Sequence, residues 1–193
     1  RWYLDGRDGR KAYTEGHIPG AIFVDLDRDL ASSDRSDATH GRHPFPTPSA
    51  FAGAMSRLGI GSDSHVVAYD DTGGMTASRL VVMLRMLGCK ASVLDGGINA
   101  WQRANDQPLA SGKPTTVKAA SFASVEWPTD QLVTKQELES IVAEGAINSR
   151  RVLLDARSGD RFQGIVTEAT AKLDPRPGHI PGAFSAPWNA VID

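Results

Sequence analysis

The side chains able to do chemistry here are one thiol, two adjacent carboxylates and a repeated histidine turn. Cys89 is the only cysteine. It follows Gly88, where an apolar helical pattern ends and a strand begins, and a helix C-terminus disfavours a thiolate. A buried structural thiol is the expectation, not a nucleophile. Asp70 and Asp71 open the polar stretch Asp70-Asp71-Thr72-Gly73-Gly74-Met75-Thr76-Ala77. Two carboxylates in one loop repel a dianion. Gly16-His17-Ile18-Pro19-Gly20-Ala21 recurs as Gly178-His179-Ile180-Pro181-Gly182-Ala183, an offset of 162 residues. Because His17 and His179 recur together, a hydrogen-bonded turn role is expected for them, with the prolines fixing the turn and Gly20 and Gly182 supplying positive φ. His40 and His43 flank Gly41-Arg42 without a further ligand set, so no metal and no other cofactor is expected.

The elements that must hold these residues follow from periodicity. Ile22 to Leu26 reads as a short strand or extended segment, and residues 31–46 read as loop. Thr47 caps a helix with Pro48 at its first position and Phe51, Met55 and Leu58 on one face, ended by Gly59 and Gly61. His65 to Tyr69 reads as a buried strand. After the Asp70–Gly74 loop comes a helix with Leu80, Met83, Leu84 and Leu87 at i, i+3, i+4 and i+7, stopped by Gly88. Ser92-Val93-Leu94 is a further strand, and Gly96-Gly97 turns into a short helix holding Ala100 and Trp101. Alternating strands and helices predict a parallel sheet with helices on its faces. Thr134-Lys135-Gln136-Glu137 is a capping box for a helix carrying Leu138, Ile141 and Val142, closed by Gly145.

The repeat sets the domain organisation. An offset of 162 is longer than any solenoid period, so it marks two copies of one domain. Arg151-Val152-Leu153-Leu154-Asp155-Ala156-Arg157 opens the second copy as a buried strand with Asp155 and Arg157 at its exit, a strand-end ion pair or loop anchor. The first copy begins at Arg1, aligned with Arg157, without that strand. We therefore expect one nearly whole domain over residues 1–104, a surface-wrapping linker over 105–128 containing Pro108, Pro114 and Pro128, and the first part of a second domain over 129–193, truncated at both ends. The composition is that of a globular chain, 40% hydrophobic and 23% charged, with net charge −2. Neither nucleic acid nor membrane is an expected partner: there is no global positive field and no apolar run of about 18 residues. A lone cysteine fits a reducing compartment, cytoplasmic, or the mitochondrial matrix if the source is eukaryotic.

Taken together, Tyr13-x-x-Gly-His-Ile-Pro-Gly-Ala, Gly41-Arg42-His43-Pro44, Tyr69-Asp70-Asp71, Leu94-Asp95-Gly96-Gly97-x-x-Ala100-Trp101 and Leu154-Asp155-Ala156-Arg157 resemble the tandem-domain rhodanese family, the thiosulfate and 3-mercaptopyruvate sulfurtransferases. The resemblance implies an α/β fold, a rhodanese-like parallel sheet flanked by helices, present as one nearly whole domain plus the start of a second copy. It implies sulfur transfer through a cysteine persulfide, from a small anionic donor to a thiophilic acceptor such as cyanide, a thiol or thioredoxin. The family's cysteine loop, Cys-x-x-Gly-x-x-Ala, gathers backbone N–H groups that lower a thiol's pKa. Here Tyr69 would put Asp70 in the cysteine's place, and the Gly74/Ala77 spacing would put Asp71 there. Either way the first domain is expected to be non-catalytic. Asp70 lies 54 residues after Gly16, and the same interval from Gly178 runs past Asp193, so the nucleophile is expected beyond this chain and the fragment alone is expected to be inactive. Arg161 matches the family arginine that binds the donor's sulfonate or carboxylate; as a bland alternative it would pair with Asp160 or Glu168. Mercaptopyruvate-preferring relatives carry a second arginine before the repeated motif; the basic residue nearest Arg161 in that stretch is Lys172, a possible donor contact. Trp188 would line the substrate cleft or simply fill the core. A rhodanese-like protein-interaction module without any cysteine is the alternative function, and a phosphatase-like relative is disfavoured by the acidic loop.

Overall fold

The computed structural model describes residues 3, 6–34, 36, 41–105, 108–113, 115–145, 147–148, 150–171, 174 and 176–191. The chain forms two compact units, residues 1–131 and 132–193.

In the first unit, α1 (Gly9–Glu15) and α2 (Leu26–Asp29) flank the first copy of the motif, with Asp8 and Asp25 capping them through their carboxylates. The segment before α2 is extended as far as Asp25, and Leu26 already belongs to the helix. α3 (Pro48–Arg57) starts as expected, with Thr47 accepting from the Ala50 N–H and Pro48 in the first turn. β1 (His65–Ala68) and β2 (Lys90–Val93) pair in parallel, with α4 (Ala77–Met86) as the crossover between them. α5 (Gly97–Asn105) follows. The core lies under this sheet: Phe51, Met55, Met83 and Leu84 are fully buried, with Val66, Ala68 and Val93 packed against them.

The expectation of a buried β1 is corrected. Its residues alternate between exposed and half-buried, and Val67 is 56% exposed. One face of the pair meets the core and the other is open, so alternation replaces uniform burial. A cavity of about 360 Å³ lies in this unit, lined by Ile22, Phe23 and Val24 on one side and by Val66, Val67 and Ala68 of β1 on the other.

The segment expected as a linker is fastened along the first unit. Ala110 and His17 exchange both backbone hydrogen bonds at 2.9 Å. Phe122 is buried edge-on against Phe51, and the Trp127 indole N–H donates to the Pro46 carbonyl at 2.8 Å.

In the second unit α6 (Lys135–Ala143) carries the full capping box of Thr134 and Glu137. β3 (Leu154–Asp155) pairs in parallel with β4 (Phe184–Ser185), which follows the second copy of the motif. α7 (Gly159–Gln163) and α8 (Glu168–Ala171) lie between them. The expected buried strand at 151–157 is also corrected: β3 covers two residues and Leu154 is 60% exposed. Among the described residues of this unit none is buried.

Candidate functional site

The Asp70 loop is the most ordered piece of chemistry in the first unit. The Asp70 side chain is completely buried. Its Oδ1 accepts from the N–H groups of Thr72 and Gly74 at 2.9 and 2.8 Å. Its Oδ2 accepts from the N–H groups of Thr76 and Ala77 at 2.8 and 2.9 Å and from the Thr76 hydroxyl at 2.9 Å. Burial by itself would push this carboxyl up, but the donors of Ala77, Gly74, Thr72 and Thr76 together outweigh it and hold the pKa below the ordinary value. A ring of N–H groups at the start of α4 is a receptor for an anion, and Asp70 fills it from within. Asp71 points elsewhere, accepting a hydrogen bond from the Tyr3 hydroxyl. Of the two carboxylates that the spacing offers, Asp70 occupies the centre of the loop and Asp71 bonds outside it.

The first motif turn and the Gly96-Gly97 turn hold this loop in place. The Ile18 N–H of the first motif turn donates to the Tyr69 hydroxyl at 2.9 Å. The Ile98 N–H donates to the Asp70 carbonyl at 3.1 Å. Gly97 approaches so closely that a Cβ there would stand 2.3 Å from that oxygen, and its φ is +55°, so only glycine fits. Arg79, which sequence reasoning passed over, ties the 31–46 loop to α4. Its guanidinium donates to the carbonyls of Leu30 (2.8 and 3.0 Å), His43 (2.9 Å) and Pro44 (3.3 Å). Burial lowers its pKa.

Cys89 is half-buried at the edge of the core, and burial pushes its thiol up. That is the environment of an inert thiol. His43 lies 3.2 Å from Asp27, His40 falls outside the described residues, and among the described residues no cluster of three or more His, Cys, Asp or Glu side chains could hold a metal. Among them, too, no helix is long and apolar enough to cross a membrane.

The second unit brings the basic residues together. Asp155 and Arg157 form the expected ion pair at the strand exit, with the Arg157 Nε and Nη2 donating to the carboxylate at 2.6–3.1 Å. The guanidinium holds Asp155 below the usual carboxylate range, and Asp155 in turn raises Arg157. Arg157 also donates to the Gly178 carbonyl at 2.6 Å, which fixes the second motif turn. Arg161, on α7, pairs with neither Asp160 nor Glu168. Its Nε and Nη2 donate to the two oxygens of Asp174, both at 2.6 Å. Asp174 also lies 3.7 Å from Arg157 Nη1.

His179 stacks on Phe162 with ring centroids 3.8 Å apart, and its Nδ1 lies 2.8 Å from the Phe162 carbonyl. His17 does the same with Tyr13, at 4.0 Å and 2.9 Å. A carbonyl oxygen can only accept, so Nδ1 carries the proton in both copies, and the turn role expected for the two histidines is what the geometry shows. An open cleft of about 600 Å³ is lined by Leu153, Asp155, Arg157, Arg176, His179 and Ile180. Arg176 was missed by sequence reasoning, although its place in Pro175-Arg176-Pro177, directly before the motif, is a signal that could have found it. Lys172 falls outside the described residues. The Trp188 backbone N–H donates to the Ala156 carbonyl at 3.0 Å, and the residue is 36% exposed, so it fills no core.

Parallel strands joined through helices, a glycine-rich loop at a helix N-terminus and a repeated histidine turn define an α/β domain class with an anion-receptive loop. The rhodanese-like domain model matches residues 3–104. The chain belongs to the rhodanese family. The human 3-mercaptopyruvate sulfurtransferase is 38% identical over 196 residues, covering 99% of this chain and 61% of the relative. SseB of Mycobacterium tuberculosis, named for a thiosulfate sulfurtransferase, is 36% identical over 193 residues, covering 100% of this chain and 64% of the relative. The crystal structure of the 3-mercaptopyruvate sulfurtransferase SseA from Escherichia coli superposes with a TM-score of 0.78 at 32% identity, covering 97% of this chain and 65% of that one. The chain thus spans somewhat under two thirds of the length of these relatives, which are sulfurtransferases.

Proposed function

We propose that this chain is the larger part of a tandem-domain sulfurtransferase. In this reading a non-catalytic domain over 1–104 is joined through 105–128 to the first part of the catalytic domain over 129–193. The enzyme moves a sulfane sulfur from thiosulfate or 3-mercaptopyruvate to cyanide or a thiol acceptor, thioredoxin included. A cysteine thiolate of the second domain, outside these 193 residues, attacks the donor's outer sulfur. The persulfide S–S bond forms as the donor's bond to that sulfur breaks, releasing sulfite or pyruvate. The acceptor then takes the outer sulfur and returns the thiolate. The lone, poorly ionised Cys89 fits a reducing compartment, the cytoplasm or the mitochondrial matrix.

The observation that carries the proposal is the arginine group of the second unit. Arg157, locked to Asp155 and to the motif turn, lines the cleft with Arg176, and Asp174 joins it to Arg161. A planar, permanently charged fork suits a carboxylate or sulfonate. Arg161 is assigned to the donor's anionic group, with Arg176 in the cleft and Lys172 as candidate second cations. Trp188, whose backbone N–H bonds the carbonyl of the cleft residue Ala156, is a candidate donor contact beside that cleft. In the longer enzyme, Arg161→Ala should raise the donor KM by about ten- to a hundredfold, the worth of a charge-assisted hydrogen bond to an anion. An unchanged donor KM in thiocyanate assays with both donors removes Arg161 from this role.

A further inference from the structure

The Arg161 fork does not stand empty in the folded chain, and the group seated on it is the chain's own. Nε and Nη2 form one edge of the guanidinium, and Asp174 takes both at 2.6 Å. The pair is largely shielded, with 19% of the Arg161 side chain and 15% of the Asp174 side chain exposed. Asp174 is not a loose surface acid. The chain leaves α7 at Gly164 and returns at Gly178, and this excursion is pinched at its base. Gly164 has φ +78°, and a Cβ on it would come within 3.1 Å of the Gly178 nitrogen. The Phe162–His179 stack and the Arg157 bond to the Gly178 carbonyl close the same base. In the first copy the equivalent aromatic and histidine, Tyr13 and His17, are four residues apart; in the second they are 17 apart. The excursion is therefore an insertion in the second copy, and it delivers a carboxylate onto the fork.

One guanidinium edge accepts one bidentate oxyanion. A donor carboxylate or sulfonate that uses this edge must first displace Asp174. We propose that Asp174 is a specificity-determining residue: an internal carboxylate that competes with the donor's anionic group for Arg161 and sets the donor affinity. This rests on Arg161 being the donor-binding residue. An oxyanion able to make both hydrogen bonds replaces what Asp174 gave up. A halide or a thiol without an oxyanion cannot, and is turned away.

The test is a donor titration of the longer enzyme, with cyanide as acceptor and either thiosulfate or 3-mercaptopyruvate as donor. Asp174→Asn removes the competing charge, and the donor KM should fall roughly three- to tenfold. Asp174→Asn should give no gain in an Arg161→Ala background. A raised or unchanged KM in Asp174→Asn, where Arg161→Ala alone raises it, overturns the competition and makes Asp174 a positioning group. An Arg161→Ala enzyme with the wild-type KM overturns both this inference and the donor-binding role beneath it. A binding readout on the 193-residue chain needs no turnover. Pyruvate titrated against the Arg161 Nε–H resonance should shift it with a lower midpoint in Asp174→Asn than in wild type; equal midpoints contradict the proposal.

Discussion

The two copies of the repeat share local chemistry and differ in burial. Both stack a protonated-Nδ1 histidine on an aromatic ring, both turn at a positive-φ glycine after Pro19 or Pro181, and both have an extended segment after the motif. Yet His17 is 3% exposed, and His179 is exposed. In the second unit β4 pairs with β3, while its counterpart at Ile22–Phe23 pairs with no strand among the described residues and instead lines a cavity. The motif's geometry is set by its own stack and carbonyl bond, between residues four apart in one copy and 17 apart in the other, and survives without a core around it. Burial is decided by what else packs on it. A second parallel runs through the chemistry. Each unit has one group suited to an external anion, the N–H ring at α4 and the Arg161 fork, and each is filled by a carboxylate of the chain, Asp70 and Asp174. The first filling is buried, with both carboxylate oxygens of Asp70 hydrogen-bonded. The second is an ion pair between Arg161 and Asp174, with Arg157 also close to that carboxylate, which we propose a donor anion exchanges.

The largest expected effect breaks the buried filling. Asp70→Ala leaves four N–H donors and a hydroxyl without their acceptor and should cost the first unit about 3–5 kcal/mol in urea unfolding. A loss below about 1 kcal/mol would mean that water or another group takes the carboxylate's place. Asp70→Asn puts amide hydrogens against backbone donors and should also destabilise. Its pH dependence has a defined sign. The folded carboxyl titrates below its unfolded value of about 3.9, so the Asp70 contribution is complete above that value and is lost as pH falls through the lower folded pKa. The stability gap between wild type and Asp70→Asn should be flat from about pH 5 to 8 and close only in stronger acid; a gap that closes near neutrality contradicts the N–H ring.

A smaller effect sharpens the comparison of the two turns. His17→Ala should cost about 1–2 kcal/mol, since the ring and its hydrogen bond are buried, while His179→Ala should cost about 0.5 kcal/mol or less. Equal losses in chemical denaturation would show that the stack itself, not its burial, carries the energy.

What was legible in the sequence was local. Thr47-Pro48 and the Thr134–Glu137 box specify their helix starts within one turn, and the apolar spacing of α3 and α4 names the core. The exposure of Val67 and Leu154 was not legible, because an apolar run states what a strand could bury and not what packs across it. Asp70 and Asp71 could not be separated by spacing, since Gly74 and Ala77 both donate to a residue one position earlier than the family pattern counts. Nor could Asp174 be named as the partner of Arg161 from neighbours in sequence, because a pinched excursion brings it back across 13 residues.

The central proposal is that none of these 193 residues forms a persulfide: Asp70 holds the N–H ring of its own loop, and burial pushes the Cys89 thiol up. Intact-mass spectrometry of the chain after incubation with thiosulfate or 3-mercaptopyruvate tests this directly. An unchanged mass, together with no thiocyanate on adding cyanide, is the predicted result. A gain of one sulfur atom that maps to Cys89 and is removed by cyanide would contradict it.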